Sequence, residues 1–104
     1  MTYQAITQEE AKRIMEGTEP FIILDVREDY EYAAGYIPGA ILLPHEQVNE
    51  LAPTMLPQKD ALILVYCRSG RRSQIAAEAL ANLGYSNVKE FGGIIDWKYE
   101  IVTP

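Results

Sequence analysis

The chain has one cysteine, one histidine and one tryptophan among its 104 residues. A single cysteine cannot form an intramolecular disulfide, and a single histidine without a second cysteine is too small a ligand set for a structural zinc site. We therefore expect neither a metal nor a cofactor. The longest apolar runs fall far short of the ~20 residues that a membrane helix requires, so we expect no membrane partner.

Basic residues are also scarce. Nine Lys and Arg stand against 15 Asp and Glu, which gives a net charge of -6 and a pI near 4.7. Because nucleic-acid binding needs a broad basic face, we expect no nucleic-acid partner. The first residues have neither the basic nor the apolar segment of a signal peptide, which favours a cytoplasmic location. With 48% hydrophobic residues, the chain is long enough for one core and too short for two, so we predict a single domain over residues 1–104.

The one cysteine, Cys67, stands between an apolar run and a basic segment. Residues 61–66 predict a buried strand, and residues 72–83 carry apolar side chains at helical spacing, so Cys67 falls in a strand-to-helix turn. Such a turn gathers backbone N–H groups at the positive end of the helix, which favours a thiolate or a bound oxyanion. Three of the nine basic residues follow within five positions: Arg68, Arg71 and Arg72.

A lone free cysteine is more often a small buried hydrophobic residue than a nucleophile. The arginines beside Cys67, in a chain with a net charge of -6, favour the nucleophile. A free thiol is only about 3% ionised at pH 7, and a pKa lower by about two units, equivalent to ~2.7 kcal/mol, would make it mostly thiolate. A helix N-terminus contributes about 0.3 to 2 kcal/mol, and nearby guanidinium groups can supply the rest. We therefore predict a moderately activated thiol.

Strand and helix patterns alternate along the chain. Thr7 and Glu10 match a capping box at the start of a first helix, which Gly17 would end. The alternation predicts an α/β domain with a mostly parallel sheet. Strands are predicted over residues 3–6, 21–26, 40–43, 61–66 and 88–91, and helical segments over 8–16, 27–34, 46–51 and 72–83, with the prolines at 53 and 57 in loop.

Asp25 and Cys67 each close a predicted strand. In a parallel sheet both then lie at the carboxyl edge, where ligands bind. We expect Asp25 and Arg27 to brace either the loop arginines or each other. A structural ion pair near the core explains these two residues equally well, so neither is predicted to be catalytic.

Five segments, taken in order, resemble a single-domain rhodanese-like sulfurtransferase over almost the whole chain. They are residues 24–28, 35–40, 66–73 and 83–85, and Gly92-Gly93 with Trp97. The resemblance implies a three-layer domain with a central, mostly parallel five-stranded sheet flanked by helices. It also implies that Cys67 is the nucleophile and that the loop amides wrap its sulfur. The implied substrate-binding residues are Arg68, Ser69, Gly70, Arg71, Arg72 and Ser73, with Asp25 and Arg27 in support.

The implied activity is transfer of a sulfane sulfur from thiosulfate to cyanide or a thiol through a Cys67 persulfide. Thiosulfate is thus the expected small-anion partner, and a thioredoxin-like protein is a further candidate acceptor. Two positions depart from the family pattern, and both lie outside the cysteine loop. Tyr36 stands where the family commonly has histidine, and Leu42-Leu43 replaces a stretch that often carries asparagine.

Two other functions remain open. The first is a rhodanese-fold phosphatase. The resemblance implies a Cys-x5-Arg loop for such an enzyme, and its arginine would fall at position 73. This chain has Ser73 there, so its loop is one residue short. A persulfide carrier or binding module serving a protein partner is the second alternative. The intact Cys67 argues against a pure binding module, but not against a carrier.

Overall fold

A computed structural model describes residues 2–104. At its centre lies a five-stranded sheet in the order β1-β5-β4-β2-β3, in which every neighbouring pair is parallel. The strands are β1 (Gln4–Ala5), β2 (Ile22–Asp25), β3 (Ile41–Leu42), β4 (Ile63–Cys67) and β5 (Val88–Gly93). The α-helices are α1 (Gln8–Glu16), α2 (Asp29–Ala34), α3 (Val48–Met55) and α4 (Arg71–Asn82), and short 3-10 turns cover His45–Gln47 and Ile94–Asp96. The predicted α/β class and five-stranded parallel sheet are confirmed.

The predicted capping box starts α1. Glu10 N–H donates to Thr7 Oγ1 at 3.0 Å, and Thr7 N–H donates to the Glu10 carboxylate at 3.0 Å. These bonds satisfy amides that a helix start otherwise leaves unpaired, and Gly17 follows the last helical residue. Within residues 2–104, no helix is both long and apolar enough to cross a bilayer.

Strand β4 is buried along its whole length and divides the core into two sides. Successive side chains of a strand point to opposite faces, so Val65 and Cys67 face the side covered by α3 and α4, while Leu64 and Tyr66 face the other. The cysteine therefore points towards the side of the sheet where α4 begins.

Pro53 lies inside α3, so the prediction of a loop at this position is wrong. A proline in a helix removes one N–H bond and crowds the preceding turn, which favours a helix end. Here the helix continues because Val48, Ala52 and Leu56 are buried in the core. The Tyr85 hydroxyl lies 2.5 Å from Leu56 O and 2.9 Å from Ala52 O, which anchors this end of the helix.

Tyr36, one of the two departures from the family pattern, stacks on Tyr32. Their ring centroids are 4.1 Å apart and the planes differ by 5°. The Tyr36 backbone exchanges two hydrogen bonds of 2.9 Å with Val102, which ties the end of the chain to the segment after α2. The other departure adds apolar packing, since Leu43 is fully buried.

Strand β5 extends two residues beyond its predicted end and includes Gly92 and Gly93. At Gly93 the strand passes directly against the backbone that follows Cys67. A Cβ atom added there would overlap the Arg68 carbonyl and come within 2.5 Å of Ser69 Cα. Only glycine fits this crossing without moving one of the two backbones.

Replacing Gly93 with alanine tests this close approach. Because the obstruction is backbone, we expect Gly93→Ala to lower the free energy of unfolding by about 2–3 kcal/mol or more, measured by urea denaturation. Gly17→Ala is the matched control, because Gly17 has extended backbone and a Cβ there meets nothing closer than 3.4 Å. Equal stabilities of the two variants would contradict the assigned role of Gly93.

Candidate functional site

The thiol of Cys67 lies beneath the turn that joins β4 to α4. The Gly70 N–H donates to Sγ at 3.0 Å, and Gly70 precedes the first residue of α4. Gly70 has a φ of 115°, a conformation that glycine adopts without a steric penalty. The sulfur thus lies at the positive end of a helix and accepts a backbone hydrogen bond, both of which favour a thiolate.

Cys67 has no solvent-exposed surface, and its neighbours are partly polar. Besides the Gly70 amide, Sγ contacts the hydroxyl of the buried Ser73, with Sγ and Oγ 3.4 Å apart. Of the loop amides described by the structure, that of Gly70 is the one bonded to Sγ. The amides of Arg71 and Arg72 have no protein acceptor within residues 2–104, as is usual in the first turn of a helix.

A buried carboxylate, Glu90, lies behind Ser73. The Ser73 hydroxyl is 2.6 Å from Glu90 Oε2, and the same oxygen accepts the Gly92 N–H at 2.7 Å. Glu90 is 5% exposed on β5 and was not among the residues predicted to form the site. The available signal was its place two residues after the apolar Val88, at a spacing that puts both side chains on the same face of a strand.

The three loop arginines have different environments. Arg72 donates to both carboxylate oxygens of Glu31 on α2, at 2.6 and 2.9 Å. These hydrogen bonds lower the pKa of Glu31 to about 2, and the pKa of Arg72 is raised mainly by the same contact. Arg68 and Arg71 are exposed, and neither forms an ion pair within residues 2–104. The free positive charge at the loop therefore comes from Arg68 and Arg71.

Asp25 and Arg27 brace each other rather than the loop arginines. Arg27 donates to the Asp25 carboxylate at 2.7 Å and to Gly35 O at 2.7 Å. The Tyr66 hydroxyl donates to Asp25 Oδ2 at 2.6 Å, and the pKa of Tyr66 is raised by burial and by this carboxylate. Because Tyr66 and Cys67 are successive residues of β4, this buried network lies on the sheet face opposite to the sulfur.

Two other features lie outside the thiol site. A cleft of about 330 Å³, lined mainly by apolar residues such as Phe21 and Trp97, opens at the start of β2. Since the strands are parallel, that edge is opposite to the one at which β4 ends with Cys67. Among residues 2–104, one group of possible metal ligands lies together, with its ligand atoms within 4.8 Å: Glu28, His45 and Glu46.

The family of this chain is shown by a match to a family model that covers most of its length. A model of the rhodanese-like domain matches residues 7–100. The chain belongs to the rhodanese-like domain family.

Relatives and solved structures agree with this assignment. The thiosulfate sulfurtransferase PspE of Escherichia coli is 38% identical over 73 residues, which cover 70% of each chain. The thiosulfate:glutathione sulfurtransferase of Saccharomyces cerevisiae is 33% identical and covers 90% of this chain and 77% of its own length. A rhodanese-like domain protein from Staphylococcus aureus superposes with a TM-score of 0.81 at 33% identity, covering 97% of this chain and 98% of that one. Sulfur transfer is thus supported at the family level.

The Glu31–Arg72 pair predicts a pH-dependent contribution to stability. The pKa of Glu31 is lower in the folded state, at about 2, than the ~4.3 of an unfolded chain. Its stabilisation is therefore fully present above pH ~4.3 and is lost as the pH falls towards 2. We expect Glu31→Gln to lower the free energy of unfolding by about 1–2 kcal/mol at pH 7, and this difference to shrink across that range.

Urea unfolding at a series of pH values measures the effect. Glu78→Gln is the matched control, because Glu78 is exposed on α4 and forms no ion pair within the described residues. At pH 2.5, about 2 units below the pKa of a glutamate in the unfolded chain, the difference in unfolding free energy between Glu31→Gln and the wild type should be smaller than at pH 7. A difference that stays constant over this range would contradict the pair's role.

Proposed function

We propose that this protein is a thiosulfate sulfurtransferase in which Cys67 is the nucleophile. The observation that carries the proposal is the Gly70 N–H bond to Sγ, at the point where α4 begins. A thiolate there gains from the amide, from the helix N-terminus and from the Arg72 guanidinium. The sulfurtransferase activity named for relatives at 33–38% identity supports the same chemistry.

The proposed cycle has two transfers. In the first, the Cys67 thiolate attacks the outer sulfur of thiosulfate, an S–S bond forms, and the S–S bond of thiosulfate breaks with its electron pair leaving on sulfite. The enzyme then carries a persulfide anion. In the second, a thiolate or cyanide attacks the terminal sulfur, the enzyme S–S bond breaks, and the electron pair returns to Cys67. The products are a persulfide of the acceptor, or thiocyanate.

The arginines divide the handling of charge between them. Arg68 and Arg71 are exposed and unpaired, so we assign to them the attraction of the thiosulfate dianion. Arg72 is held by Glu31 and contributes a fixed positive charge beside the sulfur. The unbonded amides of the first turn of α4 are the proposed donors to the persulfide anion and to the departing sulfite.

The burial of Cys67 adds a condition to this proposal. Because its sulfur has no exposed surface, the proposed reaction requires a local movement of the residues that cover it. Arg68 and Ser69, which follow Cys67, are exposed. The thiol must also stay reduced, which suits a reducing compartment such as the cytoplasm. The proposed acceptor of the sulfur is a small thiol, cyanide or a thioredoxin-like protein.

Mass spectrometry of the intact protein after thiosulfate treatment tests the first transfer. We expect the protein to gain the mass of one sulfur atom, which cyanide then removes, and Cys67→Ala to gain none. Gain of sulfur only from a partner's persulfide, and not from thiosulfate, would instead identify a persulfide carrier. Release of inorganic phosphate from an aryl phosphate, without any sulfur gain, would identify a phosphatase.

The assigned role of the exposed arginines gives a kinetic prediction. We expect Arg68→Gln and Arg71→Gln each to raise the KM for thiosulfate by about three- to tenfold, as expected for losing ~1 kcal/mol of attraction, and added salt to reduce this difference. Arg13→Gln is the matched control, since Arg13 is exposed on α1. Equal KM values for all three variants would refute the role of Arg68 and Arg71.

A further inference from the structure

Glu90 is a buried carboxylate that the proposed reaction does not use. Its Oε2 accepts hydrogen bonds from the Ser73 hydroxyl and the Gly92 N–H, at 2.6 and 2.7 Å. Both partners are neutral, and Glu90 forms no ion pair in the part of the chain that the structure describes. Burying a carboxylate without a cation is costly, so its position beside the thiol site requires an explanation.

The Ser73 hydroxyl stands between this carboxylate and the sulfur. Its Oγ lies 3.4 Å from Cys67 Sγ. Its remaining neighbours are all oxygen acceptors: Glu90 Oε2 at 2.6 Å, Gly70 O at 2.9 Å and Gly92 O at 3.4 Å. A hydroxyl has one hydrogen to donate, and the contact with the charged carboxylate is the shortest and strongest. The hydrogen therefore points away from the sulfur, and an oxygen lone pair faces it.

We propose that Glu90 is a positioning residue for Cys67. Glu90 holds the Ser73 hydroxyl turned away from the sulfur, so that Ser73 accepts a hydrogen bond from the thiol and cannot donate one to the thiolate. This inference rests on the proposed function, in which the Cys67 thiolate is the nucleophile. Its consequence is a limit on ionisation. An acceptor favours the protonated thiol, and the negative charge of Glu90 opposes a second negative charge nearby.

The charged groups around Cys67 act in opposite directions. The cationic groups lie in the loop and at the start of α4, and the anionic groups lie on β5 and α2. Glu31 on α2 and Glu28, which precedes α2, act on Arg72, whose charge they offset. Asp25 on β2 is paired with Arg27 on the other face of the sheet. The groups that favour the thiolate are Arg72 and the Gly70 amide, with Arg68 and Arg71 adding positive charge on the exposed side of the loop, and Glu90 opposes them.

Such a limit has a chemical use in sulfur transfer. A thiolate becomes a weaker nucleophile as its pKa falls, and the best attacking thiol titrates near the ambient pH. A helix N-terminus and several guanidinium groups together can lower a thiol pKa by several units. The Glu90–Ser73 pair limits this effect and keeps the sulfur a strong nucleophile once it is ionised.

The pH dependence of alkylation by iodoacetamide tests the inference, because Cys67 is the single cysteine of the chain and the readout is one sulfur. We expect Glu90→Gln to move the midpoint of the profile to lower pH, by on the order of one pH unit. Ser73→Ala should also move the midpoint to lower pH, because it removes an acceptor from the thiol. Glu90→Gln should shift the midpoint less in a Ser73→Ala background than alone, because one effect passes through the hydroxyl.

Three results would overturn the inference. The first is an unchanged midpoint in Glu90→Gln. The second is a midpoint moved to higher pH in Ser73→Ala, because this would show that the hydroxyl donates to the thiolate. The third is a Glu90→Gln shift of equal size in the wild-type and Ser73→Ala backgrounds. Glu78→Gln, which makes the same charge change at an exposed site on α4, should leave the midpoint unchanged.

A second measurement keeps the test independent of reagent access and of the proposed function. The ultraviolet absorbance of the thiolate, with Cys67→Ala as the blank, gives the same midpoint without any reagent entering the site. If Glu90→Gln does not fold, the direction of the Ser73→Ala shift decides the question alone. Failure of the wild-type protein to gain sulfur from thiosulfate would refute the proposed function, whereas the midpoints of the variants would still test Glu90.

Discussion

The contact between Gly93 and the backbone of Arg68 and Ser69 fixes where the cysteine loop lies. Strands β4 and β5 are hydrogen-bonded neighbours, so the chain leaving β4 must cross the end of β5 before α4 begins. The Ile95 N–H holds that crossing from the far side, by donating to Arg68 O at 3.1 Å. With no side chain at position 93, the two backbones can meet. The turn is then short enough for the Gly70 amide to reach Sγ.

The alternation of side chains along the strands separates two buried polar systems. Asp25, Arg27 and Tyr66 lie on one face of the sheet, and each of their charges or hydroxyls is satisfied within the group. Cys67 lies on the other face, where Glu90 and Ser73 are its neighbours. The first system contains a matched ion pair, as expected of a structural element. The second contains a carboxylate without a cation beside a thiol, a combination that stability alone does not favour.

Local signals in the sequence predicted most of the elements, whereas contacts between distant residues could not be predicted. The capping box at Thr7 and the turn from strand to helix beside Cys67 depend on a few neighbouring residues, and both were predicted, although Cys67 is the last residue of β4 rather than part of the turn. Pro53 was misplaced because burial of α3 outweighs the local preference of proline. The Glu31–Arg72 pair joins residues 41 positions apart, and no periodicity distinguishes Glu31 from Asp29, the other acidic residue of α2. Arg68, Arg71 and Arg72 looked equivalent in the sequence, because the ion pair that distinguishes Arg72 is formed with a distant residue.

The roles proposed for these arginines also account for the attraction of a dianion by an acidic protein. At physiological ionic strength charges are screened over about 8 Å, so most of the net charge of -6 is not felt at the loop. What matters is the local balance, where Glu31 offsets Arg72 while Arg68 and Arg71 remain unpaired. In the proposed function, these two exposed guanidinium groups attract the anion at the surface. In the further inference, Arg72 and the buried Glu90 act on the sulfur itself, so that capture and reactivity are assigned to different residues.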